Sequence, residues 1–152
     1  MNHVVELALF LHLLAVVVWV GGMFFAHLCL RPAVADIAPQ MRMPLWLGVL
    51  QRFFTWVAVC IGVILISGGF LMSRFGGGGQ SPWPVQAMTG FGVMMMLIFG
   101  HLRFALFPRL RRAVQAEKWQ DGAKALAGIR MMVTINLVLG VCTIAFGVLG
   151  LV

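Results

Sequence analysis

Four apolar runs, each long enough to cross a lipid bilayer, constrain the fold of this chain more than any other feature. They cover about residues 4–30, 45–73, 83–107 and 125–152, and a hydrocarbon core of ~30 Å requires about 20 residues of helix. The runs lack the alternation that marks the strands of a membrane barrel. The sequence therefore predicts an all-α fold: a single four-span domain, folded as an integral membrane four-helix antiparallel bundle.

Composition supports the membrane assignment and excludes several function classes. Of 152 residues, 62% are hydrophobic and the mean hydropathy is +1.02, which leaves no room for a separate soluble domain. The net charge of +7 does not indicate nucleic-acid binding, because the positive charges cluster in the connections between apolar runs. No pair of carboxylates on one helix, phosphate-binding loop or nucleophile constellation is present, so hydrolysis and phosphoryl transfer have no candidate residues.

The distribution of basic residues predicts the orientation of the bundle. The second connection has one basic residue, whereas the first has three and the third has seven. Loops rich in Lys and Arg stay on the cytoplasmic side, so we expect the first and third connections in the cytoplasm and both termini in the periplasm of a bacterial inner membrane. The residues, by connection, are Arg31, Arg42 and Arg52; then Arg74; then Arg103, Arg109, Arg111, Arg112, Lys118, Lys124 and Arg130.

The connections carry their own signals. Pro44 is placed as a proline of the first turn of the second helix, and Gly76 to Gly79 predict a flexible turn. After Pro108, the basic amphipathic stretch RLRRAVQAEKW is expected to lie along the inner membrane surface or to project from it.

Small residues predict the packing faces of the later helices, because close backbone approach is a main source of packing in lipid. Each set repeats at helical spacing, so we expect it to face the interior. The small-residue sets are Asn136, Gly140, Thr143, Gly147 and Gly150 in the fourth run and Thr55, Ala58, Gly62 and Gly69 in the second; in the third run, Gly90, Met94, Leu97 and His101 share one face.

The first run contains two histidines in a segment that should lie in hydrocarbon. His12 and His27 are about 22 Å apart on a helix, and they share a narrow stripe with Val16, Trp19 and Met23. A polar, ionisable side chain in a bilayer is costly and usually faces the interior of a bundle. The stripe is therefore predicted to face the other three helices.

His12 is the strongest candidate for chemistry. At its depth in the outer half, the expected neighbours are Leu65, Met88, Phe91, Cys142 and Thr143. Imidazole, thioether and thiol groups suit copper, and the soft sulfur ligands suit Cu(I), which gives a candidate metal set of His12, Met23, Met88 and Cys142. The alternative is a structural hydrogen bond from His12 to Thr143 or to a backbone carbonyl.

His27 and His101 are expected at similar depth near the inner ends of the first and third helices. Two imidazoles on facing helices hold a haem iron axially or contribute to a copper site, so the candidate cofactor ligands are His12, His27, His101 and Met88. The alternative is that each imidazole hydrogen-bonds a nearby carbonyl or headgroup. At the outer mouth, His3 and Glu6 are one turn apart, and either form an entry site for a cation or are simply solvated.

The segment HLLAVVVWVGGMFF, followed by RPAV, resembles the opening helix of the copper-resistance D (CopD-like) family of bacterial inner-membrane proteins. His12, Trp19, Gly21 and Gly22 match that pattern. The fourth run, with Arg130-Met131-Met132 and then Asn136, also resembles that superfamily. The resemblance implies a four-span membrane protein associated with copper handling.

The same histidine-to-tryptophan pattern is similar to that of the HemJ-type protoporphyrinogen oxidases. In those proteins, a lysine soon after a tryptophan of the third helix is implicated in haem binding. Here Trp83 is followed by Pro84, Val85, Gln86, Ala87 and Met88, without a lysine. That departure argues against the oxidase reaction and leaves haem b with His or Met ligands as an alternative.

These observations leave three functional hypotheses. The first is transport or homeostasis of copper through the bundle, with His12 as the central ligand and, as further partners, a second copy of the chain or a periplasmic copper-carrier protein. The second is a haem b membrane redox protein; only this hypothesis would make the chain an enzyme. The third is an accessory subunit without a cofactor.

Overall fold

Four long helices account for almost all of the residues that the computed structural model describes, which are 3–74 and 81–149. They are α1 (His3–Ala33), α2 (Pro39–Arg74), α3 (Trp83–Gln115) and α4 (Trp119–Leu149), and each is long and apolar enough to span a membrane. The all-α, four-helix prediction is therefore confirmed. An even number of spans brings the start of α1 and the end of α4 to one side of the bundle.

The helices pack as two hairpins joined at an aromatic core. Helix α1 runs along α2, α3 runs along α4, and α1 also contacts α4. Phe54 is 1% exposed, and its ring centroid lies 5.7 Å from that of Phe99 and 5.4 Å from that of Phe107, both nearly edge-to-face. Trp19 contacts Phe99 edge-to-face at 6.4 Å. These aromatic contacts join α1, α2 and α3 at the centre.

The outer surface of the bundle is apolar. Ile66 is 78% exposed and Phe104 is 79% exposed, and many other large hydrophobic side chains point outward. A soluble domain rarely presents such a continuous apolar surface, whereas lipid chains cover it without cost. The exterior is thus consistent with a bilayer around the helices.

Two of the helices widen to a π-helical turn at corresponding places. The segments are Phe25–Leu30 in α1 and Leu102–Leu106 in α3, and in each the following N–H donates five residues back, from Arg31 to Ala26 and from Phe107 to the Leu102 carbonyl. A proline comes next in both helices. Proline lacks the N–H and its ring clashes with the carbonyl four residues earlier, and a wider turn relieves that clash.

The start of α2 differs from the sequence prediction. The helix begins at Pro39, so Pro44 lies inside it rather than in its first turn. Pro39 already supplies the fixed φ of a first helical residue. Met43 and Trp46, on either side of Pro44, are buried, which ties this early part of the helix to the bundle.

The basic stretch after Pro108 is a helical extension of α3. Phe107, Leu110 and Ala113 are buried on one side, and this side packs on the first turns of α4. The helix ends in a Schellman motif: Lys118 N–H donates to the Ala113 carbonyl at 2.9 Å, and Glu117 occupies the left-handed position with φ 53°, where glycine is usual. Whether this stretch lies along the inner membrane surface or projects from it stays a prediction.

The packing face predicted for α4 is confirmed over its described residues. Asn136 and Gly140 are buried, and a Cβ added at Gly140 would lie only 2.9 Å from Val20 Cγ2 of α1. Thr143 and Gly147 are partly buried. Gly150, like the predicted turn at Gly76 to Gly79, lies outside the described residues.

The faces predicted for α2 and α3 are wrong. Both helices bury larger side chains instead, and the predicted sets face outward or open space. On α2 the small residues at the contact with α1 are Ser67 and Gly68, outside the predicted set, and at another level the Phe53 ring lies directly against Gly22 of α1. The outward residues are Thr55, Ala58, Gly69, Gly90, Met94, Leu97 and His101, with Gly62 next to open space; the buried ones are Phe54, Val57, Cys60 and Ser67 in α2, and Met95, Phe99 and Leu102 in α3.

Candidate functional site

The histidine-bearing stripe of α1 faces the bundle, as the sequence predicted. Trp19 is 3% exposed and Met23 is 1% exposed, while His12, Val16 and His27 are half-buried. Both imidazoles therefore lie at helix–helix contacts, and each has a hydroxyl group of another helix beside it.

His12 is anchored by Ser67 of α2. Its Nδ1 lies 3.0 Å from Ser67 Oγ, and the same hydroxyl lies 2.6 Å from the Val63 carbonyl one turn earlier. A hydroxyl has one hydrogen. Because Ser67 donates it to Val63, the oxygen accepts from His12 Nδ1–H. The imidazole then has the Nδ1-protonated tautomer, and Nε2 keeps its lone pair for a ligand.

Gly68 lets the His12 ring lie against the backbone of α2. A Cβ at that position would be 3.1 Å from Cε1 and 3.5 Å from Nδ1 of the ring, tighter than ordinary contact for the first atom. A side chain at this position would require the imidazole to shift by a few tenths of an ångström. The Ser67-Gly68 pair thus holds both the position and the tautomer of His12.

Sequence reasoning missed Ser67 and Gly68. It expected His12 to lie near Met88, Cys142 or Thr143, and placed Leu65 as its neighbour on α2. A signal was present, because Ser67 is the one hydroxyl side chain in the apolar run from Val57 to Met72. A lone hydroxyl of this kind in hydrocarbon needs a partner.

The other predicted copper ligands lie elsewhere in the bundle. The Met88 sulfur lies 3.4 Å from where a Cβ of Gly147 would be, between α3 and α4, and Cys142 is half-buried on α4. Met23 is eleven residues from His12, hence about 16 Å along the axis. Within residues 3–74 and 81–149, no group of three or more His, Cys, Asp or Glu side chains forms a metal cluster.

His27 repeats the arrangement of His12 near the other end of α1. Its Nδ1 lies 3.3 Å from Thr134 Oγ1 of α4, and that hydroxyl donates to the Arg130 carbonyl at 2.9 Å. Because the Thr134 hydroxyl donates its hydrogen to Arg130, its oxygen accepts from His27 Nδ1–H, and Nε2 keeps its lone pair. His27 also lines a small cavity of about 20 Å³, which is room for a single water.

His101 does not come together with His27. It is exposed, and it follows Phe99 by two residues, about 200° around the helix. Since Phe99 contacts Trp19 of α1, His101 points away from that helix. At the opposite end of the bundle, His3 Nδ1 and Glu6 Oε2 are 3.4 Å apart and both side chains are exposed.

Two comparisons with known proteins gave matches. The family model described as copper resistance protein D matches residues 47–150, which comprise most of α2 and all of α3 and α4. An uncharacterized protein of Aquifex aeolicus (strain VF5) is 31% identical over 133 residues, covering 88% of this chain and 90% of that protein. No solved structure matches. Since the family model matches more than half of the chain, the protein belongs to the copper resistance protein D (CopD) family of membrane proteins, and this family points to a copper-related function in the membrane.

Proposed function

We propose that this protein carries or buffers copper within the membrane, and that Nε2 of His12 is its central ligand. The observation that carries the proposal is the relay from His12 Nδ1 to Ser67 and on to the Val63 carbonyl. Imidazoles that bind metals usually donate their other N–H to a fixed acceptor, which sets the tautomer and orientation of the ring. Membership of the CopD family supports copper as the metal.

Copper would be cargo that moves along the stripe of α1. His12 and His27 both have Nδ1 tied to a hydroxyl of a neighbouring helix, and Met23 lies between them in the core. Neutral imidazole and thioether are ligands that Cu(I) accepts. The stripe thus supplies stations at two depths without burying a carboxylate.

The direction of the stripe follows from the positive-inside rule. We place the end with Arg31, Arg42 and Arg130 in the cytoplasm, which puts His12 in the periplasmic half of an inner-membrane protein with both termini outside. In this orientation the exposed His3–Glu6 pair is at the periplasmic entrance, where a copper-carrier protein would deliver its ion.

The proposal is tested by Cu(I) binding to the purified protein, measured in competition with a chromogenic Cu(I) chelator. His12→Leu should stay folded, because Leu suits the apolar surroundings, and should lose the tightest bound copper. His101→Leu is the matched control, since the His101 imidazole is exposed, and this variant should keep the tightest bound copper. Ser67→Ala removes only the acceptor, and we expect its copper affinity to fall about 10–100-fold, the usual effect of losing such a partner. A folded His12→Leu protein with full copper occupancy refutes the assignment.

Haem b has less support from the arrangement of the side chains. A ligand pair of His27 and His101 would need the two imidazoles on opposite faces of one haem, which the exposed position of His101 does not favour. The cavity beside His27, at about 20 Å³, is far smaller than a porphyrin. A Soret band in the purified protein that disappears in His12→Leu would instead assign a haem to His12.

A further inference from the structure

Three arginines from three parts of the chain meet at one end of the bundle. Arg31 lies near the end of α1, Arg42 lies near the start of α2, and Arg130 lies in α4. Arg31 and Arg130 line one cavity, together with Trp46, and the charges of both Arg31 and Arg42 act on Arg130. The Arg130 guanidinium lies over the Trp46 ring, 5.4 Å from its centroid, which fixes its position.

This arginine cluster has no anionic partner in the described part of the chain. The ion pair found there is His3–Glu6 at the opposite end, so no carboxylate of residues 3–74 and 81–149 pairs with Arg31, Arg42 or Arg130. Like charges at close range repel, and more strongly when partly removed from water. Arg130 is partly buried and feels the charges of Arg31 and Arg42, so a negative charge added at this point would be stabilising.

Several donors at the cluster are also unused. Nε of Arg42 and Nε of Arg130 are buried without a hydrogen-bond partner, and so is Nε1 of Trp46, whose side chain is 4% exposed. The other arm of Arg42 is held by the Ala35 carbonyl, 2.7 Å from Nη1. Buried donors that remain unpaired cost free energy. Fixed guanidinium groups with free donors are the features that proteins use to bind phosphate.

We propose that Arg31, Arg42 and Arg130 form a binding site for a phosphate ester, and that the group bound is the headgroup phosphate of an anionic phospholipid. The cavity of about 20 Å³ accepts one phosphate oxygen and not a whole headgroup, so the phosphate lies at its mouth, where Arg31 is exposed. Basic pockets between membrane helices at the cytoplasmic surface are suited to anionic lipid headgroups. The exposed apolar faces of the helices provide a surface for the acyl chains.

The site is tested by counting lipids on the delipidated protein in nonionic detergent, using native mass spectrometry with phosphatidylglycerol and with phosphatidylcholine. The wild-type protein should bind one phosphatidylglycerol in preference to phosphatidylcholine. Arg130→Gln and Arg42→Gln should each weaken this first binding step about fivefold or more. Arg109→Gln and Arg111→Gln are matched controls from the same end of the bundle, because both residues are exposed outside the cluster, and they should change the step less than twofold.

A second experiment distinguishes a bound lipid headgroup from a free phosphate ion as the occupant of the site. Inorganic phosphate at millimolar concentration should not displace the bound phosphatidylglycerol if the acyl chains contribute to binding. Displacement by inorganic phosphate, with loss of that effect in Arg130→Gln, would assign the site to a free phosphate and overturn the lipid assignment. Equal losses in the control variants would mean that the attraction is diffuse, and unchanged binding in the cluster variants would mean that no site exists there. Circular dichroism of each variant confirms that the helices are intact.

Discussion

Gly140 offers the sharpest test of the packing between α1 and α4. A Cβ at this position would lie 2.9 Å from Val20 Cγ2 and 3.3 Å from Met95 Cε. Ordinary van der Waals contact begins at 3.4 Å, so the first distance is 3.4 − 2.9 = 0.5 Å too short. Val20 is buried and β-branched, hence stiff at χ1, and cannot move aside freely. We expect Gly140→Ala to lower the free energy of unfolding by about 1–3 kcal/mol, the usual range for overpacking, and Gly140→Leu to lower it more.

Two glycines of the same protein calibrate the effect. Gly62 has nothing within 4 Å of an added Cβ, so Gly62→Ala should be neutral or stabilise by up to about 1 kcal/mol through helix propensity. Gly147 would contact only the Met88 sulfur at 3.4 Å, at the flexible part of a side chain, and its alanine variant should lie between the other two. The measurement is reversible unfolding in mixed micelles of a mild detergent and dodecyl sulfate, followed by tryptophan fluorescence.

A double-mutant cycle tests whether the contact with Val20 causes the destabilisation by Gly140→Ala. Val20→Ala removes both methyl groups that the new Cβ meets, so the pair Val20→Ala and Gly140→Ala should be more stable than the sum of the single effects predicts. The expected coupling is about 0.5–3 kcal/mol, as for residues in contact. Equal stability of Gly140→Ala and Gly62→Ala, or strictly additive effects in the cycle, would refute the close approach of α1 and α4 at this point.

Other regions of the bundle give further predictions. Phe54→Ala should lower the free energy of unfolding by about 3–5 kcal/mol, because the Phe54 ring is 1% exposed at the aromatic core. In the same unfolding assay, Phe104→Ala should change the free energy by less than about 1 kcal/mol, because the Phe104 ring is 79% exposed. Asn136→Leu should be neutral or stabilising, because Oδ1 of this buried residue has no hydrogen-bond partner and an unsatisfied polar group costs about 1–3 kcal/mol; strong destabilisation would indicate a partner such as an internal water. Reporter fusions after Ala113 should report cytoplasm and fusions after Ser81 periplasm, and the opposite result at both sites would reverse the orientation.

The general layout could be predicted from the sequence because hydrophobic length is decisive in lipid. A run of more than 20 apolar residues can satisfy its backbone only as a helix, and the cost of burying His12 and His27 identified the inward stripe of α1. The exact ends of the helices were harder to predict. At Pro44, the local rule for proline in a first turn competed with packing of Met43 and Trp46, and the packing extended the helix to Pro39.

The partners of His12 could not be predicted from depth alone. Depth estimates assign a level in the membrane but not a rotation, and a rotation of 100° replaces every neighbour on a helix. Small residues also did not identify the packing face of α2. Gly62 and Gly69 have the spacing of a packing seam, but Phe53 and Phe54 make the contacts. The seam on α4 was correct since Gly140 accepts a bulky residue of α1.

The two hairpins place comparable side chains at comparable positions, which bears on the copper proposal. His12 lies 25 − 12 = 13 residues before the first π-helical segment, and Met88 lies 102 − 88 = 14 residues before the second. Each packs on a glycine of its partner helix, Gly68 and Gly147 respectively. The two offsets differ by one residue, about 100° around a helix, so the side chains face different neighbours: His12 contacts α2 and Met88 contacts α4. The copper proposal therefore rests on His12 and its Ser67 acceptor, and Met88 remains a predicted ligand between α3 and α4.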